Sequence, residues 1–198
     1  MINMKFLAFL CLILGTCFLV HGQGTSNLET SRIQSVVDSS QSDNMVLTQI
    51  FAVNVPIDSV WNAYTSKVGW ESWAAAKAEV DFKIGGLIRT NYNTDGEIGD
   101  SSTIVLHVIN YVPKRMLTLQ AELGNNFPQF MLEDAEDLYN MVLFEELGPS
   151  KTKVVSYGIG YKKTEDYLKL MKFFVQGNEQ SYLNLIYYLE TGKASAKY

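Results

Sequence analysis

The sequence predicts an α+β domain in which a series of antiparallel strands precedes one long C-terminal helix. Three observations predict it. Apolar and polar side chains alternate with a period of two in most runs between Met45 and Tyr161, the pattern of half-buried strands. From Leu168 to Leu189 apolar residues instead recur at spacings of three, four and seven, the stripe of an amphipathic helix. Turn-forming clusters separate the alternating runs: Gly85-Gly86, Asn93 to Gly96, Pro113-Lys114-Arg115 and Gly148-Pro149-Ser150.

The chain has 198 residues, one-domain length once a leader is removed. Lys5 precedes an apolar run from Phe6 to Val20, and His21-Gly22-Gln23 follows. A charged start, roughly fifteen apolar residues and a small residue at the end describe a secretory signal peptide over 1–22. The run falls short of the roughly twenty residues that a membrane span needs. An uncleaved anchor and a lipoprotein cut before Cys17 are the alternatives. Residues 23–44, rich in Ser, Thr, Asn, Gln and Asp, read as a flexible linker, with Ile33, Val36 and Val37 spaced for one weak helical turn at most. The domain proper is expected over 45–192, with 193–198 as a tail.

Both cysteines, Cys11 and Cys17, fall in the leader. The expected mature domain therefore has no disulfide, no thiolate metal site and no cysteine nucleophile. His107 is then its one histidine, which weighs against a histidine metal cluster or a triad relay. A net charge of −5 offers no basic stripe for phosphates, so nucleic acid is not an expected partner.

Met45 to Val53 reads as the first strand of the domain. Pro56 pre-sets the first turn of a helix whose Val60, Trp61 and Tyr64 share a face. Trp70 and Trp73, three apart, lie on one side of a second short helix. Ala78, Val80 and Phe82 then alternate with Glu79, Asp81 and Lys83 up to the Gly85-Gly86 turn. In the return strand Ile88, Thr90 and Tyr92 face inward. Thr103 to Val112 and Met116 to Ala121 follow, and Gly124 to Asp137 reads as a surface loop with room for one helical turn, at the rim of any cavity in the fold. In the last hairpin, Ser156, Gly158 and Gly160 lie on one face and Val155, Tyr157, Ile159 and Tyr161 on the other. Alternating glycines mark the close approach of another group, either the final helix or a ligand. Thr164 caps that helix, Gly192 ends it, and Gly177 within it marks a kink or a tight contact.

This order resembles the SRPBCC (START-like) superfamily, and within it the heat-shock-protein ATPase activator-like and polyketide cyclase-like branch. The residues that carry the resemblance are Val60-Trp61-Asn62-Ala63-Tyr64-Thr65, Trp73, Gly85-Gly86, and the Pro113 and Arg115 hairpin. It implies a helix-grip fold: a curved antiparallel sheet wrapped around the long C-terminal helix, two short helices between strands 1 and 2, and a cavity beneath the long helix. On that fold Phe174, Tyr182 and Ile186 are the expected ligand-binding residues of the helix. Trp73, Ile88, Tyr92 and Tyr157 are expected to face them around a small apolar molecule or lipid.

No constellation for nucleophilic catalysis is present. His107 has no evident carboxylate partner. Glu133, Asp134, Glu136 and Asp137 lack the ligand alternation and the glycine of a calcium loop, and read as a solvated rim. Gly158-x-Gly160 lies inside a strand and is no dinucleotide fingerprint. No metal and no cofactor is expected. Three function classes remain. One is an exported, periplasmic or secreted module that binds an apolar small molecule or lipid. The second is a cyclase-, dehydratase- or hydrolase-type enzyme using the same cavity. The third is a protein–protein adaptor resembling the chaperone ATPase activators. The absence of a buried acid–base set weighs against the second, and export weighs against the third.

Overall fold

The computed structural model of the chain describes residues 32–40, 43–124 and 127–195. The expected leader lies outside the described residues, as do 23–31 and 41–42 of the expected linker and 196–198 of the tail. In chain order the strands are β1 (Gln34–Asp38), β2 (Asn44–Val53), β3 (Lys77–Val80), β4 (Leu87–Asn91), β5 (Ile104–Val112), β6 (Met116–Ala121), β7 (Tyr139–Gly148) and β8 (Lys151–Lys162). The helices are α1 (Ile57–Thr65), α2 (Lys67–Trp73), α3 (Gln129–Glu133) and α4 (Glu165–Thr191). All eight strands join one antiparallel sheet in the order β1-β2-β8-β7-β6-β5-β4-β3. The sheet curves around α4, and α1 and α2 lie between the first two strands of the expected domain, β2 and β3, so the helix-grip expectation holds. Among the described residues no helix is long and apolar enough to cross a membrane.

The α1–α2 corner shows how sequence becomes geometry here. Ser66 ends α1 and caps α2, its hydroxyl accepting from Gly69 N at 3.0 Å. A side chain at Gly69 would stand 2.5 Å from the Ala63 carbonyl, so only glycine lets the two helices approach so closely. The last carbonyls of a helix have no partner within it. Two of them are taken by α2: Trp70 Nε1 donates to Tyr64 O at 2.8 Å and Trp73 Nε1 to Ala63 O at 3.0 Å. Both indoles are thus buried with their N–H groups satisfied, as buried tryptophans require.

Three expectations change. Residues 34–38 form an edge strand paired with β2, where a tether is expected. Ile33 is buried, Ser35 and Val37 pair with the inward Gln49 and Leu47, and Arg32 joins Glu190 of α4 at 2.9 Å. A period of two is therefore present in this polar stretch, hidden because only one of its inward residues is large and fully enclosed.

The close approach at the β8 glycines comes from Tyr161 and Asp137 rather than from α4. A side chain at Gly158 would meet the Tyr161 ring, and one at Gly160 would overlap the Asp137 carbonyl. Gly160 has φ +90°, in the region that favours glycine, and it sits in a β-bulge. There Val46 alone lies across from Ile159 and Gly160, between the pairs Met45–Tyr161 and Leu47–Gly158. The extra residue reverses the parity, so Tyr161 turns inward to stack on Phe174 with ring centroids 5.3 Å apart.

The buried face of α4 is also rotated from the predicted stripe. It runs through Tyr167, Met171, Phe174, Gly177, Asn178, Ser181, Tyr182, Leu185 and Ile186, so the predicted Met171, Tyr182 and Ile186 are buried while Leu168 is half exposed. The core divides into two apolar clusters along this helix. One joins α1, α2 and the sheet to Tyr182, Leu185 and Ile186. The other joins Met45, Leu47, Met131, Leu138 and Tyr161 to Tyr167, Met171 and Phe174.

Candidate functional site

Between the sheet, α2 and the middle of α4 lies a cavity of about 50 Å³. Tyr64, Trp70 and Trp73 form its wall on the α1–α2 side. Leu106, Leu119, Ala121, Leu138 and Asn140 form its floor, and Asn178 and Tyr182 of α4 its roof. Because both indole N–H groups are held by α1 carbonyls, the tryptophans offer the cavity only ring surface; they lie 5.3 Å apart with planes inclined by 30°.

The polar groups fall into two sets. Tyr182 donates its hydroxyl proton to Ser156 Oγ at 2.7 Å, and Asn140 Nδ2 donates to the same oxygen at 2.9 Å and to Tyr157 O at 3.3 Å. The second set faces the cavity. The Tyr64 hydroxyl is buried and has no hydrogen-bond partner among the described residues. Asn178, 8 % exposed, brings its amide to the cavity roof. Burial pushes the Tyr64 phenol well above the usual tyrosine range, with nearby Tyr182 adding to the effect. It therefore stays protonated and is a donor in waiting. No charged side chain lines the cavity among the described residues. An ionised group would be costly to bury in such surroundings.

Of the residues expected to bind a ligand, Trp73 and Tyr182 meet at this cavity. Ile88 and Ile186 are buried in the first core cluster and Phe174 in the second, all away from the cavity lining. Tyr92 is half-buried at the margin of the first cluster. Tyr157 is on the opposite side of the sheet: its neighbour Ser156 faces α4, so Tyr157 points to the other face. Tyr64, Trp70, Asn140 and Asn178 belong to the site without having been expected there. The available signal was Asn178, an amide within a mostly apolar helix face.

The remaining candidates have structural roles. His107 is half exposed and lies 3.4 Å from Glu122. Asp134 is not part of a solvated rim: it is buried, pairs with Lys162, and accepts from the Tyr167 hydroxyl at 3.2 Å. No group of three or more metal-ligating side chains occurs among the described residues.

A search of curated protein sequences finds no match. Solved structures share the fold. The Aha1 dimer from Colwellia psychrerythraea matches with a TM-score of 0.56 and 16 % identity, over 75 % of this chain and 98 % of that one. CalU16 from Micromonospora echinospora matches at 0.52 and 15 %, over 83 % and 84 %. An Hsp90 activator from Plasmodium falciparum matches at 0.52 and 17 %, over 72 % and 93 %. The family model described as activator of Hsp90 ATPase homolog 1-like protein matches residues 54–190, from the start of the α1 region to the end of α4. The chain belongs to the activator of Hsp90 ATPase homolog 1-like family, on the SRPBCC helix-grip fold.

Proposed function

We propose that this protein is an exported binding module for a small neutral molecule, one with a flat apolar body and a hydrogen-bond acceptor. The observation that carries the proposal is the Tyr64 hydroxyl, buried without a partner beside a cavity free of charged side chains. A buried donor left unmade costs about 1–3 kcal/mol. A ligand acceptor there would recover that energy, and Asn178 offers a second polar contact. The tryptophan surfaces suit an aromatic or otherwise planar body. A fatty acid suits the site poorly, because its carboxylate would meet no cation.

The cavity is about 50 Å³, against about 300–1,000 Å³ for typical ligand pockets. Binding on this proposal parts α2 from α4. Export rests on Lys5, the apolar run Phe6–Val20 and the small Gly22. Intact-mass measurement of the protein recovered outside the cytoplasm tests it: a chain beginning at Gln23 supports export, and one retaining Met1 contradicts it. Thermal shift against a panel of neutral aromatic ketones and phenols, with fatty acids alongside, tests binding. Stabilisation by the neutral compounds alone is the expected result; stabilisation by fatty acids alone contradicts the proposed chemistry.

The family match favours a second reading, a protein adaptor that stimulates a chaperone ATPase. Stimulation of an Hsp90-type ATPase by the protein, unchanged by Tyr64→Phe, would favour this reading over the cavity.

A further inference from the structure

The four helices all pack on one face of the sheet. Tyr64 of α1 meets Phe144, Trp73 of α2 meets Tyr64, Met131 of α3 joins Met45 and Leu47, and Tyr182 of α4 meets Ser156. The opposite face carries none of them, yet its centre is apolar and tightly packed, with Val155 and Thr118 each only 9 % exposed among their neighbours. Strand register lines up Ile50, Val155, Leu143, Met116 and Val112 as one unbroken rung across β2, β8, β7, β6 and β5. The next rung holds Thr48, Tyr157, Met141 and Thr118, and beyond it Ile159 pairs with Tyr139. Polar contacts bound the patch at both ends. At one end Lys153 and Glu145 form an ion pair at 3.1 Å; at the other Gln120 donates to the carbonyls of Ala135 and Glu136.

We propose that this outer face is a self-association surface, occupied by the same face of a second copy of the chain. The register makes the face self-complementary. A two-fold axis along the strands, midway between β7 and β8, places β8 of one copy over β7 of the other without shifting residues along the strand. Val155 then faces Leu143 of the second copy, Tyr157 faces Met141, and Ile159 faces Tyr139. One strand further out, Ile50 faces Met116 and Thr48 faces Thr118. At the border Lys153 faces Glu145, so the charges match across the axis as they do within one copy.

Strands about 4.8 Å apart, rising about 3.4 Å per residue, give this apolar centre on the order of 300 Å². That is the size of the largest exposed patch on an ordinary monomer; two such centres bury about 600 Å² together, below the roughly 1,200 Å² of stable complexes, so with the polar border the contact is a weak, reversible one. Aromatic residues and methionine, enriched in interface centres, supply Tyr157, Tyr139, Met141 and Met116. A membrane fits less well: the chain carries a net charge of −5, and the cation at the border is already paired.

Sedimentation velocity of the protein over a hundredfold concentration range should show a reversible monomer–dimer equilibrium. Met141→Glu, on the open face, should shift it to monomer while leaving the thermal midpoint near that of the wild type. Lys153→Glu and Glu145→Lys should each weaken self-association about tenfold, since like charges then meet across the axis. Mixing these two variants should restore a dimer, because acids on one copy then face lysines on the other. An ion pair acting only within one chain would not produce that rescue. A wild type that stays monomeric throughout overturns the proposal. So does a wild-type dimer that persists in Met141→Glu, or a mixture of the two charge variants that stays monomeric.

Discussion

Two tyrosines, at opposite ends of the space beneath α4, share one chemistry and differ in one respect. Tyr167 and Tyr64 are both buried, and burial raises the pKa of both phenols. The Tyr167 hydroxyl is answered by the buried carboxylate of Asp134, which Lys162 holds from β8. The Tyr64 hydroxyl is answered by nothing among the described residues. Around Tyr167 the rings of Phe130, Tyr161 and Phe174 fill the space, whereas Tyr64 stands at the cavity. The first region is built as structure. The second has the incompleteness of a site, because an unmade buried hydrogen bond is a cost that a solid core would have removed.

The comparison is tested most strongly on its closed side. Phe174, fully buried and stacked on Tyr161, leaves a cavity when truncated, and Phe174→Ala should lower stability by about 3–5 kcal/mol in chemical denaturation. A loss below about 1 kcal/mol would mean that this region is already loose. The polar link comes next. Asp134→Ala leaves the Tyr167 hydroxyl unanswered and should cost about 1–3 kcal/mol, and adding Tyr167→Phe should recover part of that loss. Lys162 is half exposed and tolerates losing its partner, so a double variant as unstable as the single one would show that the hydroxyl is not the cause.

A smaller effect separates the regions by pH. Arg32, hydrogen-bonded to Glu190, holds that carboxyl below the usual glutamate range and so ties β1 to α4. A depressed folded pKa contributes stability above the unfolded value of about 4.3 and loses it as pH falls through the folded value. The stability difference between wild type and Glu190→Gln should therefore be present at neutral pH and vanish under acid. The difference between wild type and Tyr64→Phe should stay flat over the same acid range, because no carboxylate lines the cavity. A matching acid dependence at both places would erase the distinction.

Much of this frame is legible in residue patterns. Trp70 and Trp73 at a spacing of three, the Gly85-Gly86 turn, Thr164 and Gly192 at the ends of α4, and the alternation of β5 to β8 are local signals, each enforced by backbone sterics or one-sided burial. What escapes the sequence is non-local. The edge strand β1 exists because Arg32 meets Glu190 from a distant helix and because β2 offers an open ladder. Tyr161 faces inward because one bulge at Gly160 reverses the parity of β8. The predicted cavity residues were drawn from the correct helices, α2 and α4, but from the region of β4 and from β8, whereas the floor comes from β5, β6 and β7; the cavity takes only Trp73 and Tyr182 of them. Asn140 and Asn178 resemble solvent-facing positions until α2 and α4 close over them. A rotation of the helix face by one residue decides between core and site, and apolar spacing does not resolve it.

The central claim is that Tyr64 serves a ligand rather than the fold, and Tyr64→Phe tests it directly. The substitution removes only the hydroxyl and keeps the ring contacts with Trp73 and Phe144. Thermal unfolding and titration with a neutral aromatic ketone should be measured on the wild type and the variant together. The account predicts an unliganded variant as stable as the wild type or slightly more so, with ketone affinity reduced about tenfold through the lost hydrogen bond. A variant destabilised by more than about 1 kcal/mol, with binding absent or unchanged in both proteins, would contradict it.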